Sequence, residues 1–150
     1  MNTITSMDGT IISFEKSGDG PPLVLLHGAS LDLNFWDLSG VRPELAKHAS
    51  VYAVNRRGRH ESGYASDYDL VREVEDVAAL INMVEQPVVL LGHSYGALIA
   101  LEAAAHIKNL RGLIIYEPFT LEASVPHLQM ALEKMNDFIE ICSCSPDELK

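Results

Sequence analysis

Pro87-Val88-Val89-Leu90-Leu91-Gly92-His93-Ser94-Tyr95-Gly96-Ala97 is the stretch that decides the fold. Val88 to Leu91 is a continuous apolar run without alternation, the pattern of a strand covered on both faces in a parallel sheet. Gly92 to Gly96 then turns the chain, and Ala97 to His106, rich in Ala, Leu and Ile, reads as a helix buried on most sides. A strand, a G-x-S-x-G turn and a helix in immediate succession form a nucleophile elbow, which puts the serine on a very sharp bend. The residues two before and two after it must be tiny, or their side chains collide across the turn. A serine held this way stands at the carboxyl end of the sheet, where open α/β sheets bind ligands. The helix N-terminus behind it favours negative charge. The alternative, a glycine-rich turn whose serine only caps a helix, fits the flanking pattern less well.

Moving outward, Leu23–Leu26, Val51–Val54 and Leu113–Tyr116 repeat the unbroken apolar pattern. Ile4 to Lys16 reads as two short strands around Met7-Asp8-Gly9-Thr10, where Asp-Gly signals a hairpin. Ser17 to Pro22 breaks the chain. Leu70, Val74, Val77, Ile81 and Val84 recur at steps of four, three, four and three, with Arg72, Glu73, Glu75 and Asp76 between them. That predicts a helix with one apolar stripe and one charged face. Strands and helices alternating in this way predict an α/β fold with a mainly parallel sheet. Further on, Leu128, Leu132, Met135, Ile139 and Cys142 fall at helical spacing, with Pro126 suited to a first turn.

A second motif, His27-Gly28-Ala29-Ser30, follows the Leu23–Leu26 strand directly. A loop there can aim a backbone N–H at the point served by the N–H of Tyr95. Two such donors form an oxyanion hole, usually the largest electrostatic contribution in acyl transfer. The alternative is an ordinary strand-to-helix turn.

Together these residues resemble the α/β-hydrolase superfamily, in particular its members with a helical cap. The resemblance rests on His27-Gly28, on Arg56-Arg57-Gly58-Arg59 with Ser62, and on the Gly92–Gly96 elbow. The family's middle loop reads Asp-x-Arg-Gly-x-Gly-x-Ser; here Asn55 stands in the Asp place and His60 in the second Gly place. The likeness covers about residues 3 to 120. It implies an α/β-hydrolase fold, with strands 1–6 of 8 in residues 1–119 as an incomplete core. Residues 120–150 would begin the helical cap, the chain ending before strands seven and eight. The chain is therefore expected to be the N-terminal portion of such a hydrolase. The resemblance makes Ser94 the nucleophile and gives the oxyanion N–H groups to Ala29 and Tyr95.

The family order is serine, acid, histidine. After Ser94 come only His106 and His127. His106 falls roughly 18 Å along the elbow's own helix, at 1.5 Å per residue, and reads as a partner for the helix C-terminus. His127 opens the cap helix, and neither matches the family position. His93 is expected to pack away from the serine hydroxyl, His27 to brace the oxyanion loop, and His48 and His60 to lie in loops or at the surface. Glu117 stands where some members carry the acid; otherwise it is a loop carboxylate at the cap junction. Phe35 and Trp36 are candidates for an acyl pocket, or for anchoring the first helix in the core, the preferred reading.

Composition sets outer bounds. The chain has 150 residues, 11 Lys+Arg against 21 Asp+Glu, a net charge of −10 and 47% hydrophobic residues. That excludes a largely disordered chain and argues against nucleic acid as a partner. The basic cluster Arg56, Arg57 and Arg59 is too local to reverse the balance. No apolar run approaches the roughly 20 residues of a membrane span, and Met1 to Asp8 lacks the charged and apolar blocks of a signal peptide. Cys142 and Cys144 stand too close for an unstrained bridge, which points to a reducing, cytoplasmic setting. They make a poor metal pair, so no metal is assigned, and no dinucleotide or phosphate motif assigns a cofactor. The expectation is a serine hydrolase acting on a small ester or related acyl compound, weakly active or inactive at this length. The alternatives are a catalytically silent module that binds or self-associates through the apolar edge at Leu113–Tyr116, or another reaction of the fold (lyase, perhydrolase or C–C hydrolase). An aspartate-nucleophile dehalogenase is disfavoured, because Ser94 holds that place.

Overall fold

In the computed structural model, residues 1–118 are described. The expected Leu128–Cys142 helix, His127, the Cys142/Cys144 pair and the 120–150 cap segment lie outside the described residues. The elements run β1 (Asn2–Thr5), β2 (Ile11–Ser17), β3 (Pro22–Leu26), α1 (Asn34–Leu38), α2 (Val41–Leu45), β4 (Ser50–Val54), α3 (Leu70–Val84), β5 (Val88–His93), α4 (Tyr95–His106) and β6 (Leu110–Tyr116). They build one six-stranded sheet in the order β1-β2-β4-β3-β5-β6. β1 and β2 pair antiparallel, β2 and β4 likewise, and the remaining pairs are parallel. The hairpin turns where Asp-Gly places it: Gly9 has φ +86°, and the Thr10 N–H donates to Asp8 Oδ1 at 2.9 Å.

The unbroken apolar runs are explained by two cores, one on each face of the sheet. Val24 and Leu26 of β3 join Val54, Leu90, Val77, Ile81 and Ile99 beneath α3 and α4. Leu23 and Leu25 of the same strand join Val51, Ala53, Leu33 and Trp36 on the face carrying α1 and α2. A strand buried on both faces has no polar side to alternate with. Trp36, 2% exposed, belongs to this second core, as the preferred reading of α1 holds. α2 leaves no periodic trace in the sequence, because five residues barely exceed one turn. Pro43 sits in that first turn, where a missing N–H breaks nothing.

The topology singles out one end of the sheet. From β3 the chain passes to β4 on one side, whereas from β5 it passes to β6 on the other, and β3 and β5 are neighbours. Their carboxyl ends therefore form the switch point at which open α/β sheets bind ligands. β6 is the outer strand among the described residues, with Ile114 47% and Tyr116 51% exposed. No helix among the described residues is long and apolar enough to cross a membrane.

Candidate active site

Ser94 lies at that switch point, between β5 and α4, with φ +54° and ψ −117°. This is a conformation that side-chain-bearing residues rarely adopt. Two backbone hydrogen bonds hold it: the Ser94 N–H donates to Tyr116 O, and the Ala97 N–H to Ser94 O, both at 3.0 Å. The flanking glycines are required by contact. A Cβ on Gly92 would stand 2.3 Å from Gly96 O and 2.6 Å from Ala97 Cα, the collision across the turn that the motif predicts. A Cβ on Gly96 would meet something else, Leu26 O at 2.4 Å and His27 O at 2.6 Å. Gly96 thus lets the first turn of α4 lie against the end of β3.

The His27-Gly28-Ala29 loop is brought to the same place. A Cβ on Gly28 would lie 3.3 Å from Ser94 Cβ. His27 is wholly buried; its Nδ1–H donates to Gly28 O at 2.8 Å, and its Nε2 accepts the Arg56 N–H at 3.2 Å. Only the neutral ring can donate at one nitrogen and accept at the other. Burial accordingly pushes its pKa down to about 4.

Beneath the loop the structure adds a depth that the sequence does not show. Two arginines of the basic cluster, Arg56 and Arg57, are buried, and so is part of the charged face of α3. Glu73 and Asp76 are buried and paired with those arginines. Arg56 Nε and Nη2 donate to Glu73 at 2.6 and 2.7 Å, while Arg57 Nε and Nη2 donate to Asp76 at 2.8 and 2.7 Å. Arg57 also reaches Asp8 Oδ2 at 2.9 Å, which holds that carboxyl far below its usual range. Burial works against the Arg56 charge, but the Glu73 carboxylate outweighs it and raises the pKa. Burial and the same carboxylate push the Tyr68 hydroxyl up to about 12. One signal for these pairs was present: Glu73 and Asp76 are three residues apart, so they share a helix face bordering the apolar stripe. Of the three arginines, Arg59 alone lies nearer solvent, with Nε donating to Ala29 O at 3.0 Å.

The motif's two departures also find a physical place. Asn55 accepts the Leu33 N–H through Oδ1 at 3.0 Å and donates through Nδ2 to Ser13 Oγ at 2.9 Å. An ionised aspartate has no donor for the second bond. His60 is exposed and has φ +47°, a left-handed position that the family's glycine would occupy without strain.

The titratable candidates among the described residues make other contacts. The His93 ring stacks between Phe35 at 4.9 Å and Tyr116 at 5.3 Å, edge-on to Trp36 at 6.3 Å. Its Nε2 is 3.8 Å from Glu117 Oε2, and that carboxylate is 70% exposed. His106 lies in the last turn of α4, as expected, and pairs with Glu102 one turn back at 3.2 Å. His48 is exposed. Among the described residues, no histidine or carboxylate hydrogen-bonds the Ser94 hydroxyl, and no group of three residues is placed to hold a metal.

Comparison with known proteins agrees with this fold. Residues 23–140 match the family model described as the alpha/beta hydrolase family. A pimeloyl-[acyl-carrier protein] methyl ester esterase from Aeromonas hydrophila is 37% identical over 106 residues, covering 69% of this chain and 40% of that enzyme. The chain thus spans less than half the length of this relative. An alpha/beta hydrolase from Sphaerobacter thermophilus superposes with a TM-score of 0.74 at 35% identity, over 91% of this chain and 54% of that one. An esterase from Rhodococcus sp. ECU1013 gives 0.73 at 27% identity, over 91% and 60%.

Proposed function

Because the chain belongs to the alpha/beta hydrolase family, we propose that it is a serine hydrolase cleaving a carboxylic ester or related acyl bond, with Ser94 as nucleophile. The observation that carries this reading is the backbone of Ser94, fixed at φ +54° at the carboxyl end of β5 with Gly28 packed against its Cβ. Strain of this kind persists only where the surroundings impose it, and it concentrates at reactive positions. In the proposed reaction Ser94 Oγ attacks the acyl carbon. The oxyanion forms beside the N–H groups of Ala29 and Tyr95. Collapse expels the alcohol and leaves an acyl-Ser94 ester, which water then hydrolyses to the acid. In this reading the base that takes the Ser94 proton is not one of the described residues. The names of the esterase relatives favour an ester as the substrate class.

The second reading, a silent module, is favoured by the lack of a basic partner for the Ser94 hydroxyl among the described residues. Hydrolysis of p-nitrophenyl acetate by wild type and Ser94→Ala separates the two. The proposal expects a rate that the substitution removes; equal rates for both proteins contradict it.

A further inference from the structure

One carbonyl beside the elbow is held by two unusual partners. Beside the turn bond from the Leu31 N–H at 3.5 Å, Gly28 O accepts from His27 Nδ1–H at 2.8 Å and from Arg56 Nη1 at 3.0 Å. No peptide bond among the described residues is cis. In a trans peptide the C=O and the next N–H point in opposite directions. Pinning Gly28 O towards Arg56 therefore sets where the Ala29 N–H points. The same guanidinium carbon lies 4.6 Å from the centroid of the Tyr95 ring, and Tyr95 is the residue that follows Ser94. A single buried side chain thus holds the carbonyl of one peptide assigned to the oxyanion hole and packs on the ring of the residue that supplies the other N–H. It is oriented by the two-pronged bond to Glu73 and by the Tyr68 hydroxyl at 3.2 Å. The middle-loop motif does not demand this residue, since Arg57 occupies the family's arginine place and Arg56 the open one before it.

We propose that Arg56 is a positioning residue that aims the Ala29 N–H by holding the Gly28 carbonyl and ties that peptide to the elbow through the Tyr95 ring. This rests on the hydrolase reading of Ser94. Arginine suits the role because its rigid fork offers several donors at fixed angles. A lysine would keep the charge beside Glu73 but lacks the fixed fork that serves the carboxylate and the carbonyl along separate directions.

The test uses the full chain and two variants, Arg56→Lys and the double variant Arg56→Met/Glu73→Gln, which leaves no unpaired buried charge. Ser94 is titrated with a fluorophosphonate, and the maximal inactivation rate is separated from the half-saturating concentration. Misaiming one donor lowers the rate by about 100-fold, and the half-saturating concentration stays the same. The Arg56→Lys variant is expected to melt near wild type while showing this loss; a Lys variant that reacts at the wild-type rate overturns the proposal. A readout that needs no chemistry runs beside it: the Gly28 carbonyl and Ala29 amide resonances. Both are expected to shift in both variants. Unchanged resonances overturn the positioning role even if Ser94 is inert. If wild-type Ser94 is unlabelled but these resonances shift, the hydrolase reading fails and the Arg56 contact to Gly28 stands.

Discussion

The elbow and the buried ion pairs meet at the same end of the sheet, yet they are specified in opposite ways. The elbow is set by exclusion: within five residues two positions must lack a side chain, because backbone atoms of Gly96 and Leu26 stand within 2.4 Å of where a Cβ would go. The pairs are set by attraction over distance. Arg56 finds Glu73 17 residues away, Arg57 finds Asp76 19 away, and Asp8 joins from 49 away. Steric exclusion leaves a mark in the local sequence. Long-range pairing leaves only charges that look like any solvated charges until the fold buries them.

Removing one partner of a buried pair should have the largest effect. Arg57→Met leaves Asp76 buried without its cation and is expected to cost about 4 kcal/mol in urea unfolding. Arg57→Met/Asp76→Leu should recover most of it. A single variant no worse than a surface substitution would show that the pairs do not hold this region. Next comes Gly96→Ala, which drives a methyl into the carbonyls of Leu26 and His27. It is expected to cost about 3 kcal/mol, and a variant that melts like wild type would mean the elbow is not sterically fixed.

His27 divides the two regions by pH. Its folded pKa is about 4, below the roughly 6.5 of an unperturbed imidazole, so between those values the unfolded chain takes up a proton that the folded chain refuses. Stability from this group is therefore flat above pH 6.5, falls as pH drops towards 4, and levels off below. The full loss is about 3 kcal/mol at 1.36 kcal/mol per unit. His27→Gln should flatten this slope in denaturation curves taken from pH 7 to 4; an unchanged slope would place the titration elsewhere. At the small end, Lys47 and Glu44 form an ion pair with both side chains more than 60% exposed. Lys47→Ala is expected to change stability by no more than about 0.5 kcal/mol, and a larger change would break the contrast between buried and exposed pairs.

What could be read from the sequence follows the same division. The strands, the hairpin, α3 and α4 were legible because their apolar spacing or turn chemistry is local. The neighbourhood of Ser94 and Gly28 was legible because both motifs follow adjacent parallel strands. Arg56 and Arg57 were read as a basic cluster because composition counts charge without depth. The roles of Glu73 and Asp76 were hidden because a helix pattern separates apolar from charged residues, not solvated charges from buried ones. Gly92 meets Gly96 across the turn as expected, but a Cβ on Gly96 would meet the end of β3, a contact that no five-residue pattern can contain.

The most direct test of Ser94 as the reactive centre is mass spectrometry of the chain after treatment with a fluorophosphonate, followed by peptide mapping. A single adduct on the peptide carrying Ser94, absent from Ser94→Ala, is the expected result. No adduct, or one that survives the substitution, would contradict it.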